Sequence, residues 1–357
     1  MKWIIREQQI SQSAFNAGSK ARNDVDTILV AQGFKPLHVE MPSESDDSII
    51  RKLASHIEKY GYWKKAIDNI QEKDELIIQY PVRSHSVLFS NALRAVKKKD
   101  VKIVGIIHDL ESLRLAISES ESSISKVRLK LEELSALKYF DKIIVHNEHM
   151  RKAIHKFFYV PMDKMITLEM FDYLYEPVDE EEHAVFGGPV LIAGNLDKNK
   201  CGYVYDLPSD VQFDLYGANY DEDGQQGENV RYRGKVKPDE LPGVLKGSFG
   251  LVWDGPTGDG CKGVFGEYLK YNNPHKASLY LASGIPIIVW NESALADFVN
   301  KHVCGICVES LYDLGSALKL LKETNYMEMR SKAAAVGKRL RGGEYTKKAI
   351  EICDITG

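Results

Sequence analysis

The chain has 357 residues, a net charge of −4, and apolar and charged fractions of 44% and 27%. These values are typical of a soluble globular protein with more than one domain, and they exclude the strongly basic composition of a nucleic-acid-binding protein. The amino terminus lacks the apolar core of a signal peptide, and no uncharged apolar run approaches the ~20 residues of a membrane span. We therefore expect a cytoplasmic protein, with peripheral contact at the inner face of the membrane left open by short basic runs such as Lys97–Lys99.

Strand and helix patterns alternate through the first half of the chain. The predicted strands are Trp3–Ile5, Pro36–Val39, Glu75–Gln79, Val101–Ile107 and Asp141–Val145. The predicted helices are Ala21–Gln32, Ser48–Gln71, Ser86–Lys98, Leu110–Lys138 and Glu148–Phe158. Alternation at this spacing predicts a parallel sheet with crossover helices.

The acidic, turn-rich stretch Phe171–Gly188 interrupts this alternation and is interpreted as a linker. The predicted strands after it are Val190–Ala193, Val211–Tyr216, Val230–Tyr232, Phe249–Trp253, Ile285–Trp290 and a last strand that ends at Cys307–Val308. The predicted helices are Glu240–Leu245, Lys276–Ser283, Tyr312–Glu323, Met327–Leu340 and Tyr345–Cys353. We therefore predict two α/β domains, residues 1–170 and 171–344. Ligands of such sheets bind beyond the carboxyl ends of the strands, so we expect the site in a cleft between the domains.

The segment Asn272–Trp290 is predicted to form a turn, a helix and a buried strand. Gly284 ends the helix where a left-handed residue is favoured, and Pro274 is expected in its first turn. Unpaired N–H groups and the positive end of the helix dipole meet at the helix start, to which Asn273, His275 and Lys276 add donors and charge. This combination is typical of a phosphate site. The alternative is an ordinary helix start with a solvated lysine.

Polar residues also follow other strands of the second half. Gly194, Asn195 and Lys198 follow one predicted strand, and Tyr216 ends the next. Asp254 opens a glycine-rich loop, expected to be flexible, that runs to Gly260. A ring, two lysines, a helix start and small residues together favour a nucleoside diphosphate. This is not the dinucleotide fingerprint, because no GxGxxG follows a strand, and it is not a P-loop.

We expect no metal or other cofactor. The acidic triplet Asp221–Asp223 lies in a Gly/Gln-rich turn and is interpreted as a solvated loop. Two lysines and a helix dipole can stabilise a diphosphate leaving group without a metal ion. The five cysteines are odd in number and scattered, which argues against a disulfide framework, and the Cys304/Cys307 pair is interpreted as part of a buried strand.

Two candidate regions lie in the first half. The loop Ser13–Arg22 presents Gly18, Ser19, Lys20 and Arg22 as acceptor-binding candidates, with a helix capped by Ser19 as the alternative.

His108 and Asp109 follow the most apolar strand of the first half and are the candidate catalytic residues, because general base catalysis needs a carboxylate or an imidazole. The alternative is that Asp109 caps the next helix.

The stretch WDGPTGDGCKGVFGEYLKYNNPHKASLYLASGIPIIVW resembles the donor-site segment of bacterial β-1,6-galactofuranosyltransferases. It is similar, more distantly, to the glucosyltransferase that extends N-acetylglucosamine on serine-rich streptococcal adhesins. The resemblance covers nearly the whole chain, including IIHD, the AlaGlySerLysAla loop and GlyAsnLeuAspLys. It implies a GT-B fold, in which two Rossmann-like domains face each other across a cleft and a C-terminal helix, here 345–357, returns to the first domain.

The resemblance also implies a UDP-sugar donor, held by Lys198, Tyr216 and Lys276. The related glucosyltransferase has Arg at the position of Lys198, so a bidentate contact is lost here. We expect an inverting, metal-independent transfer of a hexose, best guessed as galactofuranose, to a carbohydrate or glycoconjugate acceptor, by a chain that forms a homo-oligomer. The alternatives are a UDP-glucose-type glucosyltransferase and a non-catalytic nucleotide-sugar-binding subunit.

Overall fold

A computed structural model of the chain describes residues 1–9, 17–41, 49–83, 88–117, 131–177, 183–223 and 227–353. The chain divides into two compact units. The first consists of Met1–Ser13, Val25–Leu168 and Thr346–Gly357, and the second consists of Ala14–Asp24 and Glu169–Tyr345. The main division lies close to the predicted boundary at residue 170, whereas the inclusion of Ala14–Asp24 in the second unit was not predicted.

The first unit contains a six-stranded parallel sheet. Its strands are β1 (Lys2–Gln9), β2 (Lys35–Met41), β3 (Glu75–Tyr80), β4 (Lys102–Ile107), β5 (Lys142–Val145) and β6 (Met165–Thr167), in the order β2-β1-β3-β4-β5-β6. Five of them were predicted, and β6 was missed. The central strands β3 and β4 are buried after their first residue, because helices cover both faces of a parallel sheet.

The helices of the first half are Ala17–Ala31, Ile49–Ile67, Phe89–Lys97, Glu111–Ile117 and Glu148–Phe158, with a further helical segment at residues 131–137 and a 3-10 turn at Met162–Lys164. The predicted helix Leu110–Lys138 is described only near its two ends, since residues 118–130 lie outside the described part. The chain ends with the helix Glu344–Ile352, whose residues from Thr346 onward belong to the first unit. Lys102 Nζ donates a hydrogen bond to the Cys353 carbonyl there at 2.9 Å.

The second unit contains another six-stranded parallel sheet. Its strands are β7 (Val190–Asn195), β8 (Phe213–Ala218), β9 (Val230–Tyr232), β10 (Phe249–Val252), β11 (Ile287–Trp290) and β12 (Gly305–Val308), in the order β12-β11-β10-β7-β8-β9. All six were predicted. The two sheets confirm the expectation of two Rossmann-like domains.

The helices of the second half are Lys198–Cys201, Leu241–Val244, Gly263–Tyr268, His275–Ala282, Ala294–His302, Leu314–Leu320 and Glu323–Arg341, with 3-10 turns at Gly202–Tyr205 and Leu311–Asp313. Three were not predicted: Lys198–Cys201, Gly263–Tyr268 and Ala294–His302. The last of these had a usable signal, because Leu295, Phe298 and Val299 recur at helical spacing and are buried. No described helix has the length and apolarity that crossing a bilayer requires.

The helix His275–Ala282 is almost entirely buried in the second unit. Pro274 is its N-cap residue with extended backbone, rather than part of its first turn as predicted. Gly284 has φ +73°, which confirms the predicted left-handed termination. On its far side the helix Glu323–Arg341 packs closely, because Gly337 has no side chain to meet the Leu281 carbonyl. The carboxyl end of the helix His275–Ala282 is therefore fixed by close packing.

Candidate functional site

The strand order of the second sheet locates a candidate ligand site. The chain runs outward from β7 to β8 and β9 on one side, and β10, β11 and β12 lie on the other. The direction of winding therefore reverses between β7 and β10. In open α/β sheets, ligands bind outside the carboxyl ends of the strands at such a reversal. The loops in question begin at Asn195 and Asp254, which are both among the predicted residues.

Lys276 and Asp254 form a largely buried ion pair beside this reversal point. Lys276 Nζ lies 2.8 Å from Asp254 Oδ1 and 2.8 Å from the Trp253 carbonyl oxygen. The two side chains are 13% and 8% exposed. Burial alone would lower the pKa of Lys276, but the Asp254 carboxylate outweighs it and raises this pKa above its ordinary value. The lysine is therefore a fixed cation, held against the end of β10.

The segment that carries Lys198 is joined to the loop that begins at Asp254, the partner of Lys276. The Gly255 N–H donates to the Lys200 carbonyl at 2.8 Å. The Cys201 thiol donates to the Asn195 carbonyl at 3.2 Å and lies 4.0 Å from Asp254 Oδ1. The short helix that Lys198 opens thus contacts the carboxylate that holds Lys276. The sequence predicted that the Lys198 segment and the Asp254 loop are close only because both follow strands. The structure adds the direct contacts between them.

Lys198 is exposed and lies beside a group of aromatic rings. Its ammonium is 5.3 Å from the centroid of Tyr205. That ring stacks on Tyr220 with centroids 5.6 Å apart, and Tyr220 in turn contacts Tyr232 at 4.8 Å. A cation over an aromatic face is attracted by the ring quadrupole. The stack therefore restricts a side chain that would otherwise be free to rotate.

Gly194 and Gly217 occupy neighbouring, paired positions at the ends of β7 and β8. Gly217 has φ +154°, and a Cβ there would collide with the Gly194 carbonyl oxygen, so its absence of a side chain is needed for strand packing. Gly194 has φ +136°, and no described atom lies within 4 Å of where its Cβ would stand. Asn195 accepts a hydrogen bond from Asn219 Nδ2 at 2.8 Å. Gly194 thus leaves space beside its backbone at the reversal point, and its predicted close approach to a ligand stays a prediction.

Tyr216 is 8% exposed and lies on β8 next to the predicted site residues. Burial raises the pKa of its hydroxyl. Its predicted role as a nucleotide contact stays a prediction.

Asn273 and His275 contact the backbone of the segment Glu169–Tyr173. Asn273 Nδ2 donates to the Glu169 carbonyl, and His275 Nε2 lies 3.3 Å from the Asp172 carbonyl oxygen. The His275 ring also stacks on Tyr173 with centroids 4.9 Å apart. Burial lowers the pKa of His275 to about 4, so this side chain is neutral at physiological pH. The prediction that these two residues bind a ligand stays a prediction, and the structure gives them a second role as anchors of this segment.

The glycine-rich loop after β10 is held by hydrogen bonds, in contrast to the flexible loop that was expected. Trp253 Nε1 donates to the Thr257 carbonyl at 3.3 Å. The Gly258 carbonyl accepts from the Leu311 N–H at 2.8 Å and from the Ser310 hydroxyl at 3.3 Å. Glycine is needed here for its backbone conformation and for close packing. Gly255 has φ +131°, and a Cβ added at this position would collide with the Lys262 backbone.

Lys20 is the best defined of the predicted acceptor-binding residues. Its ammonium lies 2.7 Å from Asp24 Oδ1, 2.8 Å from the Leu174 carbonyl oxygen and 3.0 Å from Asp239 Oδ1. It also lies 5.0 Å from the centroid of Tyr173. Lys20 is therefore engaged by protein groups of the second unit, and its predicted contact with an acceptor stays a prediction.

The other acceptor candidates lie on the same helix. Because the helix begins at Ala17, Ser19 is inside it, and the alternative that Ser19 is its N-cap is wrong. Ser19 and Arg22 are partly buried and engaged in interactions. Gly18 lies in the first turn, and residues 13–16 of the predicted loop lie outside the described part.

His108 and Asp109 lie at the carboxyl edge of the first sheet, as predicted, directly after β4. Asp109 Oδ1 accepts from the Leu110 N–H at 2.9 Å, and Oδ2 pairs with Arg114 at 3.1 Å. His108 Nε2 lies 2.6 Å from Gln79 Oε1. The two candidates therefore differ in surroundings, since one is an ion-paired carboxylate and the other is an imidazole bonded to a neutral amide.

The helix after Asp109 is capped by a residue that sequence reasoning did not identify. The carboxylate of Glu133 accepts from the backbone N–H groups of Glu111 at 2.9 Å and Ser112 at 3.3 Å, and from the Ser112 hydroxyl. Glu133 is 5% exposed, and burial raises its pKa to about 7. Asp109 is thus not the cap of this helix in the described structure, which corrects the alternative given above.

The acidic triplet Asp221–Asp223 is exposed, as expected for a solvated loop. Among the described residues, no group of three or more His, Cys, Asp or Glu side chains is placed to hold a metal ion. Cys304 is buried, and Cys307 lies on β12, which confirms the strand, although Cys307 and the two residues before it are only partly buried.

The chain was compared with families of known proteins. Residues 1–170 match the family model described as glucosyltransferase 3-like, N-terminal domain, and residues 190–353 match that of the glucosyltransferase 3-like, C-terminal domain. Beta-1,6-galactofuranosyltransferase WbbI of Escherichia coli (strain K12) is 29% identical over 346 residues, which span 94% of this chain and 94% of that protein. Glucosyltransferase 3 of Streptococcus gordonii is 25% identical over 340 residues, 92% of each chain.

Solved structures share the fold at low identity. Sucrose-phosphate synthase from Thermosynechococcus elongatus superposes with a TM-score of 0.67 at 11% identity, covering 99% of this chain and 98% of that one. The pneumococcal O-GlcNAc transferase GtfA, solved in complex with UDP and GlcNAc, gives a TM-score of 0.52 at 12% identity, covering 83% and 59%. At such identities the likeness establishes the GT-B fold alone. Together with the matches to both family models, it shows that this chain belongs to the glucosyltransferase 3-like family of bacterial GT-B glycosyltransferases.

Proposed function

We propose that this glycosyltransferase moves a hexose, with galactofuranose as the best candidate, from a UDP-sugar to a carbohydrate or glycoconjugate acceptor. The observation that carries the proposal is the joining of the Lys198 loop and the Lys276–Asp254 pair at the reversal point of the second sheet. The choice of galactofuranose is supported by the similarity to WbbI, whose name specifies that sugar.

The charges at this place suit a diphosphate. The Lys276–Asp254 pair is neutral as a unit, so the excess positive charge comes from exposed Lys198 and from the amino end of the helix His275–Ala282. Gly194 allows an oxygen-rich ligand to approach the backbone of β7 closely. In this proposal, Asp254 holds Lys276 in place, and the lysine ammonium and Lys198 contact the phosphate oxygens. Such fixed cations stabilise the charge that develops on departing UDP, so no metal ion is required.

Between the two candidate bases the structure favours His108. Both oxygens of the Asp109 carboxylate are already engaged, one by the Leu110 N–H and the other by Arg114. The imidazole of His108 is partly exposed and is bonded to an amide that carries no charge. We therefore assign the general base to His108, with Asp109 next to it as a second charged group.

The proposed reaction is a single displacement. His108 removes the proton of the acceptor hydroxyl, and that oxygen forms a bond to the anomeric carbon. The bond between the anomeric carbon and the diphosphate oxygen breaks, and UDP leaves with the electron pair. One displacement at this carbon inverts its configuration.

A donor screen tests the proposal directly. We expect UDP release with UDP-galactofuranose, and slower release with UDP-galactopyranose or UDP-glucose, unchanged by a chelator. Lys198→Met and Lys276→Met should each weaken UDP binding roughly 10-fold, as expected for a lost charged hydrogen bond. Lys319→Met is the matched control, because Lys319 forms an exposed ion pair with Asp210 elsewhere on the second unit. Absence of UDP binding with or without a metal ion would contradict the proposal.

A UDP-glucose-dependent transferase is the second candidate, supported by the similarity to glucosyltransferase 3. It predicts that UDP-glucose is the preferred donor in the same screen. A non-catalytic subunit predicts UDP binding without UDP release from any donor. Homo-oligomer formation and peripheral membrane contact are further proposals, to be tested by light scattering and by sedimentation with anionic vesicles.

A further inference from the structure

His108 is held at its place in the first sheet by backbone and side-chain contacts to β3. Its N–H donates to the Tyr80 carbonyl at 2.7 Å. Its Nε2 lies 2.6 Å from Oε1 of Gln79, which precedes Tyr80 on the same strand. Gln79 is 6% exposed, so this amide is shielded from water.

The Gln79 amide continues into a buried chain of polar groups. Its Nε2 donates to Asp26 Oδ1 at 2.8 Å, and Asp26 Oδ2 lies 3.2 Å from Arg6 Nε. Asp26 is 9% exposed. The order is therefore arginine, carboxylate, amide, imidazole, contributed by β1, the helix Ala17–Ala31, β3 and the end of β4.

This order fixes the direction of each hydrogen bond. An ionised carboxylate only accepts, so the Gln79 NH₂ group must face Asp26 and its oxygen must face His108. The amide oxygen also only accepts, so His108 Nε2 must carry a proton. A neutral His108 then has its lone pair on Nδ1. In imidazole, the hydrogen bond at one nitrogen sets which nitrogen is protonated.

We infer that Gln79, oriented by Asp26, is a positioning residue that holds His108 in the tautomer with its basic nitrogen at Nδ1. The inference deepens the proposed function, because it assigns the nitrogen that takes the acceptor proton. Arg6 balances the charge of Asp26, so the chain orients the imidazole without placing a full negative charge against it.

Other charged and titratable groups also surround His108. His146 Nε2 lies 3.1 Å from the His108 carbonyl oxygen, and burial lowers the pKa of His146 to about 4, so it is neutral at physiological pH. Asp109 and Arg114 form an ion pair on the following residues. These groups contact the backbone or one another in the described contacts, whereas Gln79 contacts the ring nitrogen itself.

Two variants test the role of Gln79. Gln79→Met keeps the side-chain length and removes the amide, and we expect kcat to fall 10- to 100-fold with KM for the donor changed by no more than about 3-fold. The double variant Gln79→Glu/Asp26→Asn keeps every hydrogen bond and the net charge, but it moves the carboxylate next to His108. Because a carboxylate there stabilises the imidazolium, the acidic limb of the pH–rate profile should move up by roughly one pH unit or more.

A spectroscopic measurement is independent of turnover. Two-bond ¹⁵N–¹H correlations of the histidine rings, with His108 identified by its loss in His108→Gln, should show the proton on Nε2 in the wild type and both tautomers in Gln79→Met. A proton on Nδ1 in the wild type, or an unchanged signal in Gln79→Met, would overturn the inference. Because this readout needs no donor, its result stands apart from the failure or success of the proposed transfer.

Trp3→Phe is the control variant for the same sheet. Trp3 Nε1 donates to Asp74 Oδ2 at 2.8 Å near the amino ends of β1 and β3. Its loss removes a hydrogen bond of similar length away from His108. We expect the pH–rate profile and the His108 tautomer to be those of the wild type. Changes in this control equal to those in Gln79→Met would show that the effect of Gln79 is a general loss of folding.

Discussion

The buried Lys276–Asp254 pair makes a sharp prediction about stability. At 2.8 Å the gross Coulomb attraction is about 6 kcal/mol at an effective dielectric constant near 20, and desolvation of both groups offsets much of it. Removing one partner leaves the other charge buried without compensation. We therefore expect Lys276→Met to reduce the free energy of unfolding by roughly 3–5 kcal/mol, the range for broken buried pairs.

The double variant Lys276→Met/Asp254→Asn should be much less destabilised than the sum of the two single variants, because it leaves no buried charge. We expect a coupling energy of roughly 2 kcal/mol or more. Lys262→Met is the control: Lys262 and Asp259 are 2.7 Å apart, but 59% and 68% exposed, so the change should cost less than about 1 kcal/mol. Urea titrations followed by tryptophan fluorescence measure the wild type and the four variants, Lys276→Met, Asp254→Asn, their combination and Lys262→Met.

Equal costs for Lys276→Met and Lys262→Met would refute the reasoning, since they would mean that the first pair is not desolvated. The double variant also separates folding from binding. It should recover most of the lost stability and still bind UDP weakly, because the proposed phosphate contact is absent. Recovery of both stability and affinity would show that Lys276 serves the fold alone.

Three further predictions concern single positions. Burial raises the pKa of Glu133 from an ordinary 4.5 to about 7, so the free energy of unfolding of the wild type should fall by up to about 3 kcal/mol as pH rises through this range. Urea titrations at pH 5 and 8 measure this difference, and Glu133→Gln should remove it. The pH dependence that His275 contributes has the opposite direction, because burial lowers its pKa from 6.5 to about 4. The free energy of unfolding should therefore fall by up to about 3 kcal/mol as pH drops from 6.5 to 4. His275→Phe, which keeps a ring against Tyr173, should reduce that loss. Gly217→Ala should reduce the free energy of unfolding, measured by thermal denaturation, by about 2 kcal/mol or more. Gly33→Ala is the control and should cost about 1 kcal/mol, because Gly33 has φ +88° but open surroundings. Equal costs would contradict the close approach of β7 and β8 at Gly217.

Eleven of the twelve strands lie within or overlap the predicted ones. Most were predictable because a buried parallel strand is a short apolar run, as in β4, β10 and β11. The missed strand β6 has only three residues and lacks such a run. Predicted helix bounds were several residues too long where polar residues continued the helical spacing, as at Ile49–Ile67. The short helices Lys198–Cys201 and Gly263–Tyr268 gave too few residues for a periodic signal.

The candidate site was predictable in position but not in its partners. Lys198 and His108 each follow a strand, and Lys276 lies at the start of the helix before β11. The topology of a parallel sheet brings strand ends together. The contact of Lys276 with Asp254 joins residues 22 positions apart in the sequence, and that of His108 with Gln79 joins residues 29 apart. Which residues form such distant pairs depends on how strands and helices pack against each other, and a local sequence pattern does not contain that information. The Lys20 contacts are a further case, because they span up to 154 positions.

The helix His275–Ala282 holds the segment Glu169–Tyr173 mostly through peptide carbonyls, since Asn273, His275 and Ser278 all bond to main-chain oxygens. Every amino acid offers the same carbonyl. Across the family, the segment should therefore tolerate many substitutions at positions whose side chains take no part, while the three donor positions accept few. A relative that replaces one of these donors with an apolar residue should carry a compensating change on the helix rather than in the segment.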